Sequence, residues 1–295
     1  MDSNLQMIVA PIVAEFGKYF FNKVILPRID EIQKYFKSTS LNKDEISTIL
    51  EESILRYLVR TNAYLEILDG LVADISQIEL KHVYIPIRLR DSTTNEEITI
   101  SLDRKLNFEA KRNRILVLGE GGAGKSTLLK IIGLQAIGTM QLCPILVSLR
   151  NLAPNHTLLD EIFSQFTELG ETTEKELILK LLEGGRFLIM LDAADEVSAK
   201  DKSIIFKDVK EFIKKASKNT FIISSRQDRI LSAFSDFYRY TVTEMLQDEI
   251  QLLYKKYDKI TGREISKRLM KAINDNNFDS IVTNPIIATM MYNVY

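Results

Sequence analysis

The stretch from Ile115 to Lys130, ILVLGEGGAGKSTLLK, restricts the fold more than any other part of the chain. Four apolar residues, Ile115 to Leu118, read as a buried strand. The next six, Gly119 to Gly124, are Gly or Ala except Glu120, and Lys125, Ser126 and Thr127 follow. Leu128, Leu129, Ile131 and Ile132 then begin a helical pattern. This is G-x-x-x-x-G-K-[ST] in the strand–loop–helix context that the motif requires. Glycines let the backbone wrap closely round a phosphate, with the N–H groups of Gly122, Gly124, Lys125 and Ser126 turned inward. The helix N-terminus adds a favourable dipole. Lys125 is expected to reach the β- and γ-phosphates, and the Ser126 hydroxyl to ligate Mg²⁺. Residues 119 to 127, namely Gly119, Glu120, Gly121, Gly122, Ala123, Gly124, Lys125, Ser126 and Thr127, are therefore expected to form a nucleotide phosphate site.

Composition narrows the alternatives. At 295 residues and 45% hydrophobic content the chain can hold one large or two modest domains. A net charge of −1 gives no global sign of a nucleic-acid partner. Cys143 is the only cysteine, so a disulfide within the chain and a cysteine metal cluster are both ruled out, and a reducing compartment suits it. His82 and His156 are too few and too far apart for a zinc cluster. The N-terminus lacks the basic region of a secretory signal, and Glu15, Lys18 and Lys23 interrupt the apolar stretch from Leu5 to Leu26. A cytoplasmic location is expected.

Along the chain, residues 1–80 read as a helical module. Its first helix, Leu5 to Asn22, is apolar most of the way round, which suits burial or self-association; contact with a membrane surface is the weaker alternative. Ile25, Ile29, Ile32 and Phe36 mark a second helix. A longer stripe runs from Ile46 through Leu65 to Leu68, with Gly70 as the expected stop. Residues 81–112 read as a β-hairpin linker, VYIPIRLR pairing with EEITISL, and Pro86 suits an edge strand. From 113 to 242, strands alternate with helices: Pro144–Leu149, Arg186–Leu191 and Phe221–Ile223 follow the first strand. A capping box at Thr173 and Glu176 opens one of the intervening helices, and Lys207, Lys210, Lys214 and Lys215 lie on the solvated face of another. Residues 243–295 are helical throughout. The fold class is α/β, a P-loop NTPase parallel sheet covered by helices on both faces, with helical parts at either end.

A second cluster of polar residues completes the site. The strand ending at Leu191 runs into Asp192-Ala193-Ala194-Asp195-Glu196, placing an acid at the C-terminal end of a strand next to the phosphate loop, where open α/β sheets bind ligands. Asp192 fits the acid that holds Mg²⁺. Asp195 or Glu196 could then orient or deprotonate an attacking water. Arg226, just past the next strand, faces the same edge and suits γ-phosphate charge. The Asn-Lys-x-Asp signature of GTPases does not follow the loop; Asn42-Lys43-Asp44 precedes it and lacks the spacing.

In order, GEGGAGKSTLLK, PILVSLR, RFLIMLDAADEV and FIISSRQ resemble the NACHT family of STAND NTPases, and TNPIIATMM resembles the Asn-Pro-Leu motif of the helical domain that follows the NACHT core. The resemblance runs from Val83 to the C-terminus. It implies ATP and Mg²⁺ as cofactors, slow ATP hydrolysis used as a switch, and ADP-to-ATP exchange coupled to homo-oligomerisation on an unidentified activating ligand. It further implies an innate, anti-phage type of response and an effector, adaptor or self-association role for residues 1–80. By position it assigns Lys125 to the phosphates, Ser126 and Asp192 to Mg²⁺, Glu196 as the catalytic acid with Asp195 assisting, Arg226 as a sensor and Pro285 near the base. Ala193 stands where the family usually has Gly, and its small size is expected to be tolerated. Family members usually continue into a winged-helix domain carrying a phosphate-binding histidine, so a fragment or a minimal variant is expected. Two other readings remain open: a helical adaptor in which nucleotide is structural, and an AAA+-like ATPase acting on nucleic acid.

Overall fold

The computed structural model describes residues 11–36, 41–72, 75–102, 112–166, 175–227 and 233–295. Its strands are β1 (Ile67–Val72), β2 (Ile75–Glu79), β3 (Ile87–Asp91), β4 (Glu97–Ile100), β5 (Arg114–Leu118), β6 (Cys143–Ser148), β7 (Phe187–Asp192), β8 (Thr220–Ser225) and β9 (Tyr238–Val242). The first two form a separate hairpin, and the other seven form one sheet in the order β4-β3-β9-β5-β8-β7-β6. From β9 to β6 the pairing is parallel; β3 runs antiparallel to both β4 and β9.

Apart from β9, the parallel strands carry long apolar runs because both of their faces are covered. Ile115, Val117, Leu188, Met190 and Ile222 pack on one side with α3 (Lys125–Gly138), the helix that follows the phosphate loop. Leu116, Ile189, Leu191, Phe221 and Ile223 pack on the other, with α4 (Leu158–Ser164), α5 (Lys175–Glu183) and α6 (Lys202–Lys215). The lysines Lys207, Lys210, Lys214 and Lys215 of α6 are exposed, around a buried stripe of Ile205, Val209, Phe212 and Ile213. A capping box is present at Thr157 and Asp160 of α4; Thr173, expected to cap α5, lies outside the described residues.

Three sequence expectations change here. The strand carrying Asp192 is not next to the strand carrying the phosphate loop, because β8 pairs with both and lies between them. The hairpin β3–β4 is not separate from the sheet: it extends the sheet through β9, and Pro86 precedes β3 while β4 takes the edge. The long N-terminal helix, α2 (Lys43–Glu66), gives way to β1 at Ile67, so Gly70, with φ +61°, lies inside a strand near an irregularity in the β1–β2 register. β9 was not singled out in the sequence because Tyr238 and Arg239 are exposed and break its apolar run.

α1 (Pro11–Phe20) buries Val13, Phe16 and Phe20 while Ile12 and Tyr19 stay exposed; residues 5–10 of the expected helix lie outside the described residues. Ile25, Ile29, Ile32 and Phe36 are all buried, but Ile25 ends a π turn, a 3₁₀ turn at Pro27 separates it from the single helical turn that carries Ile29 and Ile32, and Phe36 follows a second 3₁₀ turn. Pro27 lacks the N–H that a continuous helix needs. α2 starts from a capping box in which Asn42 Oδ1 accepts from the Asp44 and Glu45 N–H groups. These helices close the edge of β6. The Tyr57 hydroxyl of α2 donates to the Pro144 carbonyl at 2.7 Å, and from the C-terminus of α4 Gln165 Nε2 adds a bond to the Leu146 carbonyl at 3.0 Å. Phe20 meets Phe187 of β7 edge-to-face at 5.2 Å. On α3, Lys130 donates to the Tyr64 and Ile67 carbonyls at the end of α2. No described helix is long and apolar enough to cross a membrane.

Helices α7 (Gln247–Thr261), α8 (Ser266–Asp275) and α9 (Pro285–Val294) form a second core around Leu253, Tyr254, Tyr257 and Tyr292. Val72 and Ile78 of the β1–β2 hairpin, with Val83 and Ile85, belong to that same core. Replacing Tyr57 by Phe leaves a buried carbonyl on β6 without its donor, so stability should fall by about 1–2 kcal/mol. Urea denaturation measures this; an unchanged midpoint would show that the hydroxyl does not seal the edge.

Candidate functional site

The phosphate loop joins β5 to α3, and its shape comes from residues outside it as much as from its own glycines. Gly122 has φ +78° and Gly124, at the N-terminus of α3, has φ +89°, conformations in which other side chains are strained. A Cβ on Gly121 would lie 2.9 Å from Arg226 Nη2, and one on Gly122 would lie 2.2 Å from Ile286 Cγ2. The loop is thus pressed by β8 on one side and by α9 on the other. Lys125 Nζ donates to the Gly119 and Glu120 carbonyls, each at 2.8 Å. Burial lowers the Lys125 pKa from its ordinary value; Arg226 adds to this, while Asp195 and Asp192 oppose it.

Opposite the loop, the DAADE segment turns sharply at the end of β7. Ser224 Oγ donates to the Asp192 carboxylate and accepts from the Ala193 N–H at 3.1 Å, so one hydroxyl fixes both the acid and the turn. Ala193 has φ +58° and ψ +47°, the left-handed region. Its small size is therefore not what matters: the position favours glycine for its backbone, and alanine is strained there. Asp195 accepts from the Arg226 backbone N–H at 3.0 Å and pairs with its guanidinium at 3.1 Å. Glu196 stands on the rim, 3.4 Å from Arg150.

Gly121, Gly122, Ala123, Gly124, Lys125, Ser126, Thr127, Asp192, Asp195, Glu196, Arg226 and Pro285 all line one cleft of about 300 Å³; Gly119 and Glu120 do not line it. The cleft is polar at the loop and apolar beyond it, where Tyr84, Ile85, Ile87, Met245, Leu253 and Tyr257 line the wall. Two residues not singled out in the sequence complete this arrangement. Ser224 is fully buried, a polar residue at the end of an apolar strand. Asn284, the asparagine of the Asn-Pro pair in TNPIIATMM, donates to the Gly121 carbonyl at 2.8 Å; the motif marks it but gives no sign of that partner.

The metal-binding potential of the cleft is limited and specific. Ser126 and Asp192 both line it, a hydroxyl and a carboxylate that suit a hard cation completed by phosphate oxygens and water. Among the described residues no group of three His, Cys, Asp or Glu side chains could hold a metal alone.

A parallel sheet, a glycine loop at the end of its central strand and acids at the end of another define a P-loop nucleotide-binding protein. Residues 113–259 match the NACHT domain model, and the chain carries a NACHT-type P-loop NTPase domain. No curated protein matches the chain. Among solved structures it is similar to a DNA replication initiation factor, at 20% identity and TM-score 0.40, over 57% of this chain and 51% of that one. Similarity to AMPPCP-bound DnaA from Aquifex aeolicus is at 18% identity and TM-score 0.39, over 57% and 51%. For the RuvB Holliday junction branch migration motor of Thermotoga maritima the values are 16% and 0.32, over 60% of each chain. The chain thus spans about half the length of the initiation factor it matches.

Substituting Ala193 by Gly relieves about 1–2 kcal/mol of left-handed strain and gives back about 0.5–1 kcal/mol through a more flexible unfolded chain. A net gain of up to about 1.5 kcal/mol is expected in chemical denaturation. Loss of stability would mean that the alanine methyl makes a packing contribution larger than the strain.

Proposed function

We propose that this protein is an ATP- and Mg²⁺-dependent switch that hydrolyses ATP slowly and couples its nucleotide state to self-association. The observation that carries the reading is the convergence of Lys125, Ser126, Asp192, Asp195, Glu196 and Arg226 on one cleft whose far wall is shared between residues 84–87 and the C-terminal helices. Loop N–H groups and Lys125 bind the β- and γ-phosphates, and Pro285 with Leu253 and Tyr257 holds the base. Ser126 and Asp192 would hold Mg²⁺, which neutralises phosphate charge when bound. Ser224 keeps the Asp192 carboxylate aimed. Asp195, occupied by Arg226, positions the guanidinium for γ-phosphate charge. That leaves Glu196, on the cleft rim, to take the proton of the attacking water.

The switch reading draws support from packing. α9 presses on the phosphate loop, and Lys130 ties α3 to the end of α2, so both ends of the chain contact the element that meets phosphate. Assembly of like copies, an unidentified activating ligand, an effector role for residues 1–80 and an anti-phage setting follow from the family resemblance, and a phage-challenge assay with and without the intact loop tests the last of these.

Lys125→Ala should weaken ATP at least about 100-fold, since the main γ-phosphate cation is lost. A titration with fluorescent ATP checks this, and retained micromolar affinity would sink the site assignment. Glu196→Gln should keep ATP affinity while hydrolysis falls by about 10²–10⁴. Phosphate release measured under single-turnover conditions decides, and undiminished release would move the role away from Glu196. Size-exclusion profiles with ADP and with a non-hydrolysable ATP analogue should differ; identical profiles would argue against nucleotide-coupled assembly.

A further inference from the structure

An anion-binding loop needs its peptide N–H groups to face one way, and a run of glycines cannot hold that orientation by itself. Between Gly121 and Gly122 it is held from outside. Asn284 stands at the N-terminus of α9, where its Oδ1 accepts from the Ile286 N–H at 3.0 Å. Its Nδ2 donates to the Gly121 carbonyl at 2.8 Å. The Gly121–Gly122 peptide is trans, so fixing the Gly121 carbonyl turns the Gly122 N–H the opposite way. Gly121 and Gly122 line the cleft, and the amide that takes the Gly121 carbonyl comes from the first residue before α9. Contact beside this bond is close: a Cβ on Gly122 would meet Asn284 Oδ1 at 2.8 Å as well as Ile286.

From this geometry we infer that Asn284 is a positioning residue for polyphosphate binding, its amide holding the Gly121–Gly122 peptide with the N–H toward the cleft. This rests on the reading of the cleft as an ATP site. Affinity for phosphate then depends on α9 being docked, because the same side chain caps that helix and orients the loop. The two halves of the amide can be separated. Serine is as good a helix cap as asparagine, and it is neutral, but it is too short to reach the Gly121 carbonyl. Asn284→Ser therefore keeps the cap and frees the peptide, whereas Asn284→Ala loses both.

The test is equilibrium titration of the full chain with fluorescent ATP and ADP, beside thermal melts without nucleotide. Loss of one aimed N–H to a charged phosphate reads as roughly tenfold weaker binding or more. Both variants should show that loss for ATP and ADP, and only Asn284→Ala should also melt at a lower temperature. If Asn284 served only to cap α9, Asn284→Ser would bind within twofold of the wild type, and that result overturns the inference. A wild-type chain that bound neither nucleotide would instead overturn the ATP reading of the cleft.

Discussion

The phosphate loop depends on an interaction it cannot make alone. A loop built from Gly119, Gly121, Gly122, Ala123 and Gly124 can approach an anion closely, but it also has many conformations to lose when it does. In this chain that freedom is removed by neighbours. Arg226 lies against Gly121, Ile286 against Gly122, and Lys125 holds the Gly119 and Glu120 carbonyls. An anion entering the cleft therefore meets a loop already ordered, and much of the entropy cost of arranging it has been met in folding. Each restraining side chain comes from a different element, so the condition of the loop reflects the docking of β8 and of α9 together.

The acidic side of the cleft is organised on the same plan. Ser224 aims Asp192 and closes the turn at Ala193, while Arg226 occupies Asp195. Since β8 lies between β5 and β7, one strand supports both the loop and the acids. Ser224 faces Asp192 and Arg226 reaches Gly121, two residues apart on the same strand end. A shift of β8 would disturb both sides of the cleft at once, which is a physical route for charge at the phosphate to be felt across the sheet.

Much of this was legible in the sequence where a local pattern forces a local structure. The loop, its flanking strand and helix, and the strand ending in Asp192 could be read because glycine spacing and apolar runs have few other uses. Asp195, Glu196 and Arg226, which line the cleft, were singled out because charged residues directly after buried strands point to the ligand-binding edge of a parallel sheet. What was not legible depended on pairing between distant segments. β8 lies between β5 and β7 through crossovers that no local pattern records. The helical stripe continues through Ile67 and Leu68, so the sequence placed the helix end at Gly70 and gave no sign that a strand begins at Ile67. Ser224 and Asn284 each act through two hydrogen bonds, at least one of them to a residue far away in the sequence, and a serine or asparagine alone carries little information about its partner.

The seating of the N-terminal residues bears on how such a chain could change over evolutionary time. Tyr57 closes the carbonyl edge of β6, and Val72 and Ile78 fill part of the core formed by the last three helices. Gene fusion that exchanged the first 80 residues for an unrelated segment would leave an open sheet edge and an underfilled hydrophobic cluster. The crossover points that recombination can use are thereby limited. A new front end would have to bring its own edge-capping donor and its own two-stranded filler, so diversification by point substitution on the outer faces of α1 and α2 is the less demanding path.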